Sequence, residues 1–191
     1  MGLDMYLDKC DRKAWGYKDY DAEEAKENNP KLYEEMRPFL KLRGSEYYQW
    51  ESIFEATGYW RKANAIHKWF VDNVQGGEDD CDCYEVTKEQ LEKLLEICEK
   101  VKNDSIIEDG WIKNGEQFAN GMWCPIYEEG KTITNPEVAQ ELLPTQGGFF
   151  FGSTEYDEFY MDDIISTIDI LTKVLKETDF NKEMIAYRAS W

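Results

Sequence analysis

The chain has 191 residues, 42% apolar and 15% aromatic, with 40 acidic against 22 basic side chains and a formal net charge of −18. That length and apolar content suit a single globular domain over residues 1–191, able to bury a core without disulfide or metal staples, and exclude a disordered chain. The charge repels nucleic acid and anionic membranes, so direct binding to either is not expected, whereas a partner with a basic surface is attracted.

The five cysteines, Cys10, Cys81, Cys83, Cys98 and Cys124, are odd in number and scattered. The opening MGLDMYLDKC lacks a basic stretch followed by an apolar one, and no apolar run approaches the ~18–20 residues that span a bilayer. A reducing, cytoplasmic setting is expected, and with it the Asn103-Asp104-Ser105 sequon has no role.

Residues 3–9 alternate as a strand, with Leu3, Met5 and Leu7 on one side. Asp21 and Glu24 have capping-box spacing, and Asn29-Pro30 opens a helix over 30–42 that Pro38 kinks or breaks. Residues 45–56 suit a helix or a strand, and the helix, ending near Thr57-Gly58, is preferred. So is 58–75: Tyr59, Ala63, Ile66, Phe70 and Val74 form a stripe flanked by Trp60, Trp69 and Val71, with Arg61, Asn64, Lys68 and Asp72 opposite. The same wheel puts Lys62 and Asn73 inside the buried arc, where a lysine needs a partner or a ligand. Gly76-Gly77 ends this helix.

The acidic loop 78–83 precedes a helix running to about Lys102, announced by the capping box Thr87/Gln90 and the hydrophobic staple Val86/Leu91. Leu91, Leu94, Leu95, Cys98 and Val101 form its core face. Residues 104–134 are glycine-rich and read as loops with one or two short strands, holding Trp111, Phe118 and Trp123 as buried anchors. A short helix follows from Asn135-Pro136-Glu137 to Leu143, stopped by Pro144. Residues 147–152 read as a buried strand or extended turn. The last long helix carries Met161, Ile164, Ile165, Ile168, Leu171 and Leu175, with Ser153 or Thr154 as its cap. Residues 184–191 alternate as a strand that pairs with 3–9. The fold class is α+β: about five helices on a small, mostly antiparallel sheet that includes both terminal strands.

Chemistry-bearing patterns are few. Asp79-Asp80-Cys81-Asp82-Cys83 lacks the second ligand pair of a zinc site and the spacing of a calcium loop, so no metal and no cofactor are expected. His67 is the one histidine, and nucleophile elbows, phosphate loops and dinucleotide fingerprints are missing from the sequence. On an apolar stripe such a histidine reads as structural. The stretch 149–160 sets Glu155, Asp157 and Glu158 among Tyr156, Phe159 and Tyr160, beside Gly152-Ser153. Acids there suit a helix N-terminus. Brought against Arg61, Lys62 and Lys68, they instead form a polar pocket with aromatic walls.

The blocks GLDMYL at 2–7, GYWRKANAIHKWFVDNVQ at 58–75, LLPTQ at 142–146, GFFFGSTEY at 148–156 and YRASW at 187–191 resemble a group of small uncharacterised proteins of bacteriophages and prophages. They span both ends of the chain. The resemblance implies a phage-encoded protein acting in a bacterial cytoplasm and brings no activity with it.

Three functions compete. The first is an acidic, non-enzymatic protein that binds and modulates a host component, such as an anti-defence inhibitor. The second is a sponge for a small nucleotide-like signal, using Arg61, Lys62, Asn64, His67 and Lys68 with stacking from Trp60 or Tyr156. The third is a hydrolase pairing Glu155 or Asp157 with His67. Ser153 belongs to the same candidate binding surface.

Overall fold

The computed structural model describes residues 2–148 and 151–191. The fold is α+β. Its centre is β1 (Asp4–Asp11), whose Met5 and Leu7 continue the apolar face begun by Leu3; all three are fully buried. Each such side chain contributes roughly 1.5–3 kcal/mol when taken from water. β1 pairs antiparallel along its length with β8 (Glu183–Ser190), from Asp4↔Ser190 to Asp11↔Glu183, so the terminal strands join as their alternation predicts. On its other edge β1 pairs with β4 (Glu55–Arg61), and β5 (Tyr84–Val86) completes the sheet beyond β8, in the order β4-β1-β8-β5.

Three helices cover one face of this sheet: α3 (Asn64–Asn73), α4 (Lys88–Asp104) and α6 (Glu158–Glu177). Phe70 of α3 stacks on Tyr187 of β8 at 3.9 Å between ring centroids. The α4 start has both capping-box bonds, Thr87 N to Gln90 Oε1 at 2.9 Å and Gln90 N to Thr87 Oγ1 at 3.2 Å. In α6 the expected core side chains Met161, Ile164 and Leu171 are buried, but Ile165 is exposed. The other face is covered at one end by α1 (Ala22–Asn28) and α2 (Pro30–Met36), whose Met36 packs with Cys10, Phe54 and Met184. Asp21 and Asn29 cap these two helices as their spacing predicts. The short α5 (Glu137–Leu142) lies where expected.

Four sequence expectations give way to tertiary structure. The helix over 30–42 ends at Met36; Pro38 sits in a 3₁₀ turn, Arg37–Phe39, because it has no N–H to continue the ladder. Residues 45–56 are not helical. β2 (Lys41–Gly44) and β3 (Gln49–Ser52) form a hairpin, with Gly44 at a φ of 112° opening the turn. The helix over 58–75 is two elements, β4 and α3. Gly58 faces α6 so closely that a Cβ would meet Ile170 Cγ2 at 2.5 Å, and the free edge of β1 draws this segment into the sheet.

The fourth correction is the largest. Residues 104–134 are dominated by β6 (Ile107–Ala119) and β7 (Met122–Ile133), one long hairpin with a bulge between Lys113 and Glu116. Its turn is Asn120-Gly121, with φ of 52° and 83°, the left-handed pair that type I′ turns require. Trp111, Phe118 and Trp123 are not buried anchors but exposed. Of the stretch 147–152, Phe149 and Phe150 lie outside the described residues, and the remainder forms no strand, although Phe151 is buried.

Candidate functional site

The stretch joining β4 to α3 is built by three anchors. Trp60 is buried on β4, and its Nε1–H donates to Thr167 Oγ1 of α6 at 2.9 Å. Lys62 turns the chain at a φ of 63°, its N–H donating to Leu3 O at 2.7 Å and its carbonyl accepting from Asn64 N at 2.8 Å. Breaking the helix here points the Lys62 side chain outward, so it is exposed and needs no buried partner. Asn73, the other polar residue assigned to the buried arc, is exposed and donates from Nδ2 to Trp69 O. Asn64 is buried: Nδ2 donates to Phe151 O at 3.0 Å and Ser153 O at 2.7 Å, and Oδ1 accepts from Gln146 N at 2.9 Å. Asn64 therefore positions the loop that carries Ser153, with both of its N–H donors committed.

On the facing side, Ile133 N donates to Tyr156 O and Thr132 bridges Asp157, so the end of the hairpin holds the start of α6. Asp157, not Ser153 or Thr154, caps α6; its Oδ1 accepts from Phe159 N at 3.0 Å and Tyr160 N at 3.1 Å. Its Oδ2 is buried with no hydrogen-bond partner. Burial pushes the Asp157 carboxyl up against two backbone donors that pull it down. Asp163, six residues on, is pushed up to about 7 by burial first and by Asp162 and Asp157 second.

These elements enclose a cleft of about 600 Å³. Arg61, Lys62, Asn64, Ser153, Glu155 and Asp157 line it, so the two sequence blocks do face each other around a cavity. Sequence reasoning missed Lys113 and Asn114 of the hairpin bulge and Asp162 and Asp163 of α6. The adjacent acids of α6 were visible in the sequence; nothing in it brings Lys113 to this place. Tyr156 lies next door, in a hollow of about 360 Å³ under Trp111 and Tyr127.

The remaining candidates stand elsewhere. Trp60 belongs to the core, and Lys68 pairs with Asp72 at 2.8 Å. His67 is fully buried, with Nδ1 2.7 Å from Tyr187 Oη and Nε2 2.9 Å from Asp79 Oδ1. Burial keeps the Tyr187 phenol protonated. The consistent tautomer has Tyr187 donating to Nδ1 and Nε2–H donating to Asp79. Burial lowers the His67 pKa, with Asp79 opposing. Both ring nitrogens are thus committed, and neither is bonded to Glu155 or Asp157. Among the described residues, no group of three or more His, Cys, Asp or Glu side chains is arranged to hold a metal ion. Nor is any helix there long and apolar enough to cross a membrane.

The hairpin presents a second candidate surface. Trp111 pairs with Glu129, Lys113 with Tyr127, Glu116 with Pro125 and Phe118 with Trp123. Alternation along β7 places positions 123, 125, 127 and 129 on one face, so Trp111, Phe118, Trp123 and Tyr127 share it. They are 65%, 63%, 66% and 57% exposed, far more than stray apolar residues would explain. Comparison with family models, with curated proteins and with solved structures finds no match.

Proposed function

We propose that the protein acts by binding: a phage-type protein that docks onto a basic surface of a host protein and modulates it, in the manner of an anti-defence inhibitor. The carrying observation is the aromatic face of the β6–β7 hairpin, where four exposed rings share a face with Glu116 and Glu129. Exposed ring faces flanked by carboxylates fit arginine and lysine side chains, through cation–π contact and ion pairing together. The hairpin carries five acids against two lysines, within a chain whose total formal net charge is −18. Such a field speeds encounter with a basic partner and makes it salt-dependent. The phage resemblance supports a bacterial cytoplasm as the place of action.

Affinity capture from host lysate tests this reading. One stoichiometric partner is expected, released by high salt and lost with Trp111→Ala/Trp123→Ala. No partner at low salt, or one that the double variant retains fully, overturns it. The hydrolase reading is disfavoured because His67 is buried with both nitrogens occupied by Tyr187 and Asp79.

A further inference from the structure

The β6–β7 hairpin carries both of the chain's Asn-Gly pairs, Asn114-Gly115 at the bulge and Asn120-Gly121 at the tip. An asparagine before glycine is prone to lose its amide, because glycine has no side chain to shield its backbone nitrogen from the preceding carboxamide. The two sites differ in what holds that carboxamide. Asn114 Nδ2 donates across the hairpin to Glu128 Oε1 at 2.6 Å, a charge-assisted bond that fixes it on the opposite strand. Asn120 is exposed, and its carboxamide is bonded to no described residue. Pairing at the tip closes at Ala119↔Met122, so Gly121 N stands outside the strand ladder.

The tip can also open. From Asn114 to Tyr127 every residue is exposed or half-buried, and a two-stranded ribbon with nothing packed behind it is marginal in water. Opening lets Asn120 leave its left-handed conformation, at a φ of 52°, and bring Cγ against Gly121 N.

We propose that Asn120 is a site of spontaneous modification: it converts to isoaspartate, and the product undoes the distal half of the hairpin. Gly121 N bonds to Asn120 Cγ and closes a five-membered succinimide. The Cγ–Nδ2 bond breaks, and ammonia leaves with the proton from Gly121 N. Solvent water then opens one of the two ring C–N bonds. Opening at Cγ yields aspartate; opening at the main-chain carbonyl of residue 120 yields isoaspartate. Nothing is oxidised or reduced, and water is the one co-reactant. Aspartate keeps the turn, since Asp-Gly suits it as Asn-Gly does. Isoaspartate routes the main chain through Cβ and Cγ, which adds a backbone atom to a two-residue loop. The closure at Ala119↔Met122 and the Phe118↔Trp123 pair beyond it then lose register. The base of the hairpin stays, held to the start of α6 through Thr132 and Ile133.

Incubation of the full chain at mildly alkaline pH, followed by peptide mass spectrometry and enzymatic methylation of isoaspartate, tests the assignment. Conversion at Asn120 is expected to run about 10-fold or more faster than at Asn114, whose bond to Glu128 must break first. Glu128→Ala removes that bond and should speed conversion at Asn114. Asn120→Gly leaves a Gly-Gly turn of the same type and should keep the arm intact through the same incubation. Chymotrypsin under native conditions should cut incubated wild type at Phe118 or Trp123 faster than fresh protein or incubated Asn120→Gly, at an unchanged melting temperature. Equal conversion at Asn114 and Asn120, no gain at Asn114 in Glu128→Ala, aspartate as the sole product at Asn120, or an incubated arm cut no faster than the fresh one overturns the proposal. Loss of partner capture on incubation rests on the docking reading, whereas conversion and cleavage do not, so the two fail separately.

Discussion

Replacing Asp163 by asparagine should stabilise the protein at pH 8 and do so much less at pH 5. In the folded chain its carboxyl is pushed up to about 7, against an ordinary value of 3.8, chiefly by burial. Between those two values the folded state holds a proton that the unfolded state has released, so stability rises as pH falls through that window. Above pH 7 both states are ionised, and the folded state carries the whole desolvation cost. The window spans about three pH units at about 1.4 kcal/mol each, a ceiling of about 4 kcal/mol. Asp163 is half-buried, so solvent screening brings the expected gain at pH 8 to roughly 2 kcal/mol. Urea denaturation followed by tryptophan fluorescence at pH 5 and pH 8 measures it. Asp169→Asn, an exposed change on the same helix with the same effect on net charge, is the control and should stay within about 0.5 kcal/mol. The reasoning fails if Asp163→Asn gains nothing over that control at pH 8, or gains equally at both pH values.

Other perturbations read other parts of the structure. Gly58→Ala should destabilise by about 1–3 kcal/mol in thermal or urea unfolding, since its Cβ would stand 2.5 Å from Ile170 Cγ2. Thr87→Ala removes one half of the α4 capping box and should cost about 1 kcal/mol in the same measurement. His67→Gln should be destabilised by about 2 kcal/mol or more at pH 7.5, through loss of two buried hydrogen bonds. Because burial lowers the His67 pKa below 6.5, the wild type loses stability as pH falls below that value; the variant does not, and the gap narrows. Phe118→Ala/Trp123→Ala should leave the melting temperature nearly unchanged, as both rings are exposed, while removing partner capture.

Legibility of the fold followed how local its causes are. Thr87, Gln90, Val86 and Leu91 state the start of α4 within six residues, and the structure has that start where they put it. The alternation at both ends stated β1 and β8, and the structure pairs them as expected. The stretch 58–75 misled because Tyr59, Ala63, Ile66 and Phe70 satisfy a helical period by coincidence. Trp60 and Ile66 are both buried, but Trp60 belongs to a strand of the sheet and Ile66 to a helix packed over it. The hairpin was legible in Asn120-Gly121, whose turn chemistry outweighs the glycine content of the segment. Its exposed aromatics were not, since apolar side chains ordinarily read as core.

For the site, the sequence by itself determined the ingredients: a strongly acidic chain, a basic block at Arg61 and Lys62, an acidic block at Glu155–Asp157, the cap of α4 and the apolar stripes of the long helices. Charge and capping act over a few residues, so they survive translation from chain to fold. Only the tertiary structure decided which of these meet. It withdrew Trp60 and His67 into the core, tied the Asn64 amide donors to loop carbonyls and turned Lys62 out to solvent. It also brought Lys113 to the cleft from another element and left Asp157 Oδ2 without a donor. Those outcomes depend on which strand edge was free and which helix lay behind it, and no local pattern encodes either.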